Sequence, residues 1–180
     1  MGIEIRDLNT SCEDEINLVV IRSMETVLET VPEFQGSPGL AQCAFPNFSF
    51  DQMKAMFVDT FDNPDHRILV AEDLIRGLVL GHSIFSIKTN PEGALYGFCF
   101  SRFVAPDARQ RGIGSRLLIE QEKWWKERSA QYALAQTHVS NIKLQQLFQK
   151  HGFVLRGPIE GKHYDYFELR KSLIKPGKNR

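Results

Sequence analysis

The chain has 180 residues, 42% hydrophobic and 24% charged, with 22 Lys and Arg against 22 Asp and Glu. That length suits one domain with a real core and is short for two, and zero net charge gives no global attraction to nucleic acid or to an anionic membrane. Cys12, Cys43 and Cys99 form neither a disulfide framework nor a zinc pattern, so a reducing cytoplasm and no metal are expected, and no apolar run approaches the ~18 residues of a membrane span.

The N-terminal "MGIEIRDLN" is strand-like and has none of the parts of a signal peptide. "CEDEINLVVIRSMETVLETV" has helical periodicity, with its acidic residues early, where a helix N-terminus favours them. Residues 32–47, "PEFQGSPGLAQCAFPN", read as a long loop rich in Gly, Pro and aromatics. A second helix, "FDQMKAMFVDTF", follows Ser49. Strands "RILVAED", "LVLGHSIFSIKT" and "ALYGFCFSRFVA" come next, the last two joined at "NPEG". The helix from Ile113 keeps Ile113, Leu117, Leu118, Trp124 and Trp125 on one broad face, with Glu122 and Lys126 paired at i,i+4. "YALAQTHV" is a strand, and the helix from Asn141 places Leu144, Leu147, Phe148 and His151 together before Gly152 ends it. "FVLRG" and "HYDYFELRKSL" close the sheet. The expected domain spans residues 1–173, with 174–180 a flexible tail. The order β-α-α-β-β-β-α-β-α-β-β describes one α+β domain.

The stretch "RQRGIG", Arg109 to Gly114, lies where a strand hands over to a helix. A helix N-terminus leaves amides unpaired and carries roughly +0.5 charge, and a loop without side chains at Gly112 and Gly114 lets a phosphate reach them. Arg109 and Arg111 add guanidinium donors suited to phosphate oxygens. A plain strand–helix turn with solvated arginines is the alternative. A Rossmann fingerprint would need a glycine where Leu117 stands, and a P-loop would need Gly-Lys-Ser/Thr where the chain reads "SRLL".

"VAPDARQRGIGSRLL" resembles the acetyl-CoA-binding signature of the GCN5-related N-acetyltransferases, the GNAT family, through Val104, Pro106, Arg109, Gly112 and Gly114. "NIKLQQLFQKHGF" resembles the family's second signature through Asn141, Phe148, Gly152 and Phe153. The resemblance runs from about Arg67 to Leu173. It implies a GNAT-like fold, a mixed and mostly antiparallel sheet of about seven strands flanked by four helices. It also implies that the amides of Arg111, Gly112, Ile113, Gly114 and Ser115 hold the pyrophosphate of acetyl-CoA. Phe103 and Val104 would pair through their backbone with the pantetheine arm, Asn141 would bond that arm from the other side, and Lys150 would lie near the nucleotide. Asn141 also reads as a helix N-cap, and Lys150 as a solvated helix-end cation.

The implied reaction is direct attack of a primary amine, on a small molecule, an amino sugar or a peptide, on the acetyl thioester. In much of the family a Tyr in the second signature donates to the departing sulfur; here Phe148 stands there. Tyr164, Tyr166 and His138 are the candidate acids, each with a packing role as alternative. Counting back from Val104 by twos places Arg102, Phe100 and Phe98 on one strand face and Ser101, Cys99 and Gly97 on the other. Neither face offers a base, so His82, His138, Glu33 or a water chain must. The alternative is a non-catalytic acyl-CoA-binding or sensor domain. No nucleic-acid or membrane partner is expected, and a homodimer is compatible with the reading.

Overall fold

A computed structural model of the chain describes residues 2–35, 38–45 and 47–174. Seven strands form one sheet: β1 (Ile3–Asp7), β2 (His66–Asp73), β3 (Leu78–Thr89), β4 (Leu95–Val104), β5 (Tyr132–His138), β6 (Val154–Ile159) and β7 (Tyr166–Ser172), in the order β1-β2-β3-β4-β5-β7-β6. Every pairing is antiparallel except β4 with β5. The helices are α1 (Glu13–Thr30), α2 (Pro38–Ala44), α3 (Phe50–Val58), α4 (Ile113–Glu127) and α5 (Ile142–Lys150). Four of them are the helices expected from periodicity. The fifth, α2, lies in the stretch read as a loop, beside a 3-10 turn at Pro32–Phe34. Only seven residues long and containing Pro38 and Gly39, it carries too little pattern to stand out. Most of the expected C-terminal tail, residues 175–180, lies outside the described residues.

The apolar stripe of α4 forms as its spacing dictates: Ile113, Leu117, Leu118, Trp124 and Trp125 are all buried. They pack with Leu69, Phe85 and Cys99 on one face of the sheet, joined there by Phe148 of α5. Two details fix α4 in place. The Trp125 indole N–H donates to the Ser86 carbonyl at 3.0 Å. Trp125 also fills the space over Gly97, where a Cβ would fall 2.3 Å from Cδ2. Glu122 makes the expected contact with Lys126 at 3.6 Å, but its carboxylate is held mainly by Lys171 of β7 at 2.7 and 2.8 Å. The opposite face is covered over β2–β4 by α1 and α3, through a second core of Ile16, Val19, Val20, Met53 and Phe57 on Ile68, Val70 and Ile84.

The sheet is irregular at one functionally placed point. On β3, Ile84 pairs with Ser101 but Phe85 pairs with Cys99, so Phe100 is an extra residue on β4. Such a bulge reverses the alternation beyond it. Counting by twos from Val104 therefore fails. Gly97 and Cys99 face α4, as does Arg102, while the Phe100 ring meets Phe57 of α3.

Candidate functional site

Beyond Cys99–Ala135 no further register pairs β4 with β5. A cleft of about 830 Å³ opens there, walled by the ends of α1 and β4, the start of α4 and one side of α5. Phe103, Val104, Arg109, Gly112, Ile113, Gly114, Ser115, Asn141 and Lys150, all expected cofactor contacts, line it. Arg111 and Phe148 do not. Phe148 is wholly buried, packed edge-on against Phe153 with the Arg102 guanidinium 5.2 Å over its ring.

The start of α4 is unlike that of the other long helices. α1 opens on Glu13, Asp14 and Glu15, α3 is capped by Ser49, and α5 by Asn141, which accepts from the Leu144 N–H at 3.3 Å. α4 has neither a side-chain cap nor an acidic residue in its first turn. Its N-cap, Gly112, is left-handed at φ 78°, and a Cβ there would meet nothing within 4 Å. Gln110 is left-handed too, at φ 63°. A tight turn of this kind can aim successive amides into a concavity that suits an anion. Gly114 answers a different need, since a Cβ would come within 3.1 Å of the Leu147 side chain of α5, which would have to give way by a few tenths of an ångström.

Charged groups arrange themselves around this opening. Arg109 does not stand free for a phosphate: its Nε donates to the Val104 carbonyl at 2.9 Å and its Nη2 lies 3.4 Å from Glu29 of α1. Asn141 serves as the N-cap through its oxygen, leaving its amide nitrogen for the cleft. Sequence reasoning missed Arg102, which lines the cleft from behind. Its guanidinium donates to the Gly114 carbonyl at 2.8 Å and to Ser83 at 3.2 Å, and also bonds Gln121. The only signal for it was the bulge, which leaves no mark in the residue pattern. Ser115, at the cleft floor, shares a 2.9 Å hydrogen bond with His151, whose pKa burial holds below the ordinary value.

The proposed acid–base residues gather at the other end, where α1 meets β5. His138 Nδ1 accepts from the Ser140 backbone N–H at 3.0 Å, which places the ring proton on Nε2, 3.1 Å from the Glu33 carboxylate. Tyr164 packs beside it, ring centroids 5.7 Å apart, in a nest with Phe34 and Phe45. Burial raises the Tyr164 pKa above the usual phenol value. His138, Glu33 and Tyr164 are thus brought together, though none lines the cleft itself. His82 is not with them. It is wholly buried, its Nε2 3.1 Å from Ser23 and 3.3 Å from Ser101, with burial pushing its pKa down to about 3. No group of three or more His, Cys, Asp or Glu able to hold a metal occurs among the described residues, and no helix there is long and apolar enough to cross a membrane.

Known proteins share this architecture. No curated protein matches the sequence significantly. Among solved structures, PaiA N-acetyltransferase from Thermoplasma acidophilum, in complex with coenzyme A, is 20% identical with a TM-score of 0.72, covering 96% of this chain and 99% of its own. YncA, a putative acetyltransferase from Salmonella typhimurium with its cofactor acetyl-CoA, is 17% identical with a TM-score of 0.70, covering 100% and 99%. A ribosomal-protein-alanine N-acetyltransferase from Brucella melitensis is 19% identical, also at 0.70, covering 94% and 99%. At such identities they establish the fold. Residues 38–153 match the acetyltransferase (GNAT) family, and over that span, which holds both the glycine turn and α5, the chain belongs to it.

Proposed function

We propose that this chain, as a single domain over residues 1–173, transfers the acetyl group of acetyl-CoA to a primary amine. The observation that carries the reading is the uncapped start of α4, opening through Gly112 and Gly114 into the cleft between β4 and α5. Aligned amides and the helix dipole there suit a diphosphate. The buried Arg102, tied to the Gly114 carbonyl, holds that turn from behind. The parted ends of β4 and β5 leave strand edge for an amide-bearing arm, which would bring the thioester to the bulge at Phe100. Free cysteines at positions 12, 43 and 99 fit a cytoplasmic setting.

In the reaction the amine nitrogen attacks the thioester carbonyl carbon; the C–N bond forms, the C–S bond breaks, and the sulfur leaves as thiolate. The amine must first lose a proton. His138 Nε2–H holds Glu33, whose carboxylate is half exposed, and Glu33 is the group that accepts that proton. His138 orients it, its Nδ1 held by the Ser140 N–H. Tyr164 walls the pair on its apolar side. The wholly buried Phe148 offers the sulfur no proton, and a thiol of pKa about 8.5 departs tolerably without one.

Thiol release from acetyl-CoA against a panel of amines tests the reading. Release that depends on an amine, and is lost in Glu33→Gln with coenzyme affinity intact, supports it. Tight coenzyme binding with no turnover on any amine would make the chain a sensor instead.

A further inference from the structure

One half of the sheet is open on the side where the acetyl group would be presented. Helix α5 packs on β6 and β7 from the opposite face, while on this side α1 and α3 pack over β2–β4, and the close of α1 and the turn after it meet β5 at its His138 end. The strand register places side chains on the open face in rows. Tyr96, Tyr132 and Ser172 make one row; Phe98, Leu134, Arg170 and Val154 make the next; then follow Gln136, Glu168 and Arg156. Phe100 and Val154 are 54% and 61% exposed, a degree of apolar exposure that marks a contact surface when it is continuous.

The charges on this face are held up rather than paired off. The Arg170 guanidinium lies 3.9 Å over the Tyr132 ring, which itself stacks on Tyr96 at 5.1 Å. Lys88, at the β3 edge of the same face, sits 4.2 Å over Phe98. Among the described residues neither cation has a carboxylate within ion-pair distance, and Glu168 has no cation within that distance, Arg156 standing opposite it in register without pairing. Glu168 pairs in register with Gln136, next to the row of His138, and so lies nearest the parted strands. Arg170 is two residues further along β7, roughly 7 Å away. A negative group therefore flanks the reaction end, and aromatic-propped positive groups stand one peptide unit or more beyond it.

We propose that the amine acceptor is the N-terminus of a peptide with acidic side chains at its second or third position. This rests on the acetyl-transfer reading above. The peptide ammonium meets Glu168 and Glu33, where it loses its proton and attacks the thioester carbon as the C–S bond breaks. The peptide's carboxylates meet Arg170 and Lys88, and its backbone lies across Phe98, Phe100 and Leu134. An α-amino acid is too short to span the two ends, because its amine and carboxylate share one carbon.

The test is thiol release from acetyl-CoA with the tripeptide amides Ser-Glu-Glu, Ser-Gln-Gln and Ser-Lys-Lys. Expected is a kcat/KM for Ser-Glu-Glu above that for Ser-Gln-Gln by about fivefold per carboxylate, the size of a partly exposed ion pair, with Ser-Lys-Lys lowest. Arg170→Glu should reverse the order of the acidic and basic peptides, with coenzyme affinity unchanged as proof of folding. Equal rates on all three, or rates only on non-peptide amines, would overturn the acceptor assignment while leaving acetyl transfer standing. Absence of thiol release with every amine would remove the transfer reading beneath it. A dimer in sedimentation that Arg170→Glu dissociates would also overturn the proposal, by giving the face to a second copy.

Discussion

The anion site at the start of α4 can be tested by one charge placed at Gly112. Its Cβ position is open, with nothing within 4 Å, and its φ of 78° is one that Asn and Asp tolerate better than other side chains. Gly112→Asn and Gly112→Asp therefore carry nearly the same backbone cost, on the order of 1 kcal/mol, and differ by a single negative charge. If a diphosphate lies against the Ile113 and Gly114 amides, that charge stands about 5 Å from it, and each unit of repulsion costs about 1–3 kcal/mol for an effective dielectric between 80 and 20. Two phosphate charges give about 2–6 kcal/mol, which weakens coenzyme binding at least ~30-fold. The assay is calorimetric titration of CoA into the wild type, Gly112→Asn and Gly112→Asp, with thermal melts to show that all three are folded. Asn should lose little and Asp at least ~30-fold, with the difference shrinking at high salt. Equal affinities for the Asn and Asp variants would refute a diphosphate at this turn.

Three further outcomes follow from the packing. His82, neutral in the fold with its pKa near 3, leaves the unfolded chain to bind a proton that the native state refuses; stability should therefore fall as pH drops from about 6.5 toward 3, by about 1.4 kcal/mol per unit. Urea melts at pH 7, 6 and 5 should show a slope in His82→Gln shallower by about one proton, and equal slopes would contradict the neutral buried ring. Gly97→Ala would drive a Cβ into the Trp125 indole, and a loss of about 1–3 kcal/mol or more in urea melts is expected, with tryptophan fluorescence reporting the displaced ring. Glu29→Gln removes both a carboxylate at the cleft rim and the partner that draws Arg109 aside, so CoA should bind about two- to fivefold more tightly in titration calorimetry.

What the sequence could not convey is concentrated in β4. The hydrophobic spacing of α4 and α5 was legible because a helix face is set by local periodicity, and Gly112 and Gly114 were legible because few contexts need bare backbone at a strand–helix junction. The extra residue at Phe100 is different. A bulge depends on how β3 and β4 pair, a long-range property, and "GFCFSRFV" alternates as well without it. Its consequence is large. Arg102 moves from the face of Phe98 to that of α4, where it reaches Gly114 and backs the anion turn, while Ser101 turns to Ser23 and His82 in the other core. The same irregularity accompanies the parting of β4 from β5 that makes room for the cleft. The acid–base pair was hidden for a related reason: Glu33 and His138 are separated by 105 positions and meet only because a 3-10 turn after α1 closes over the end of β5. Anion binding could thus be read from a local motif, whereas the groups that would move protons depend on pairing decided by the whole sheet.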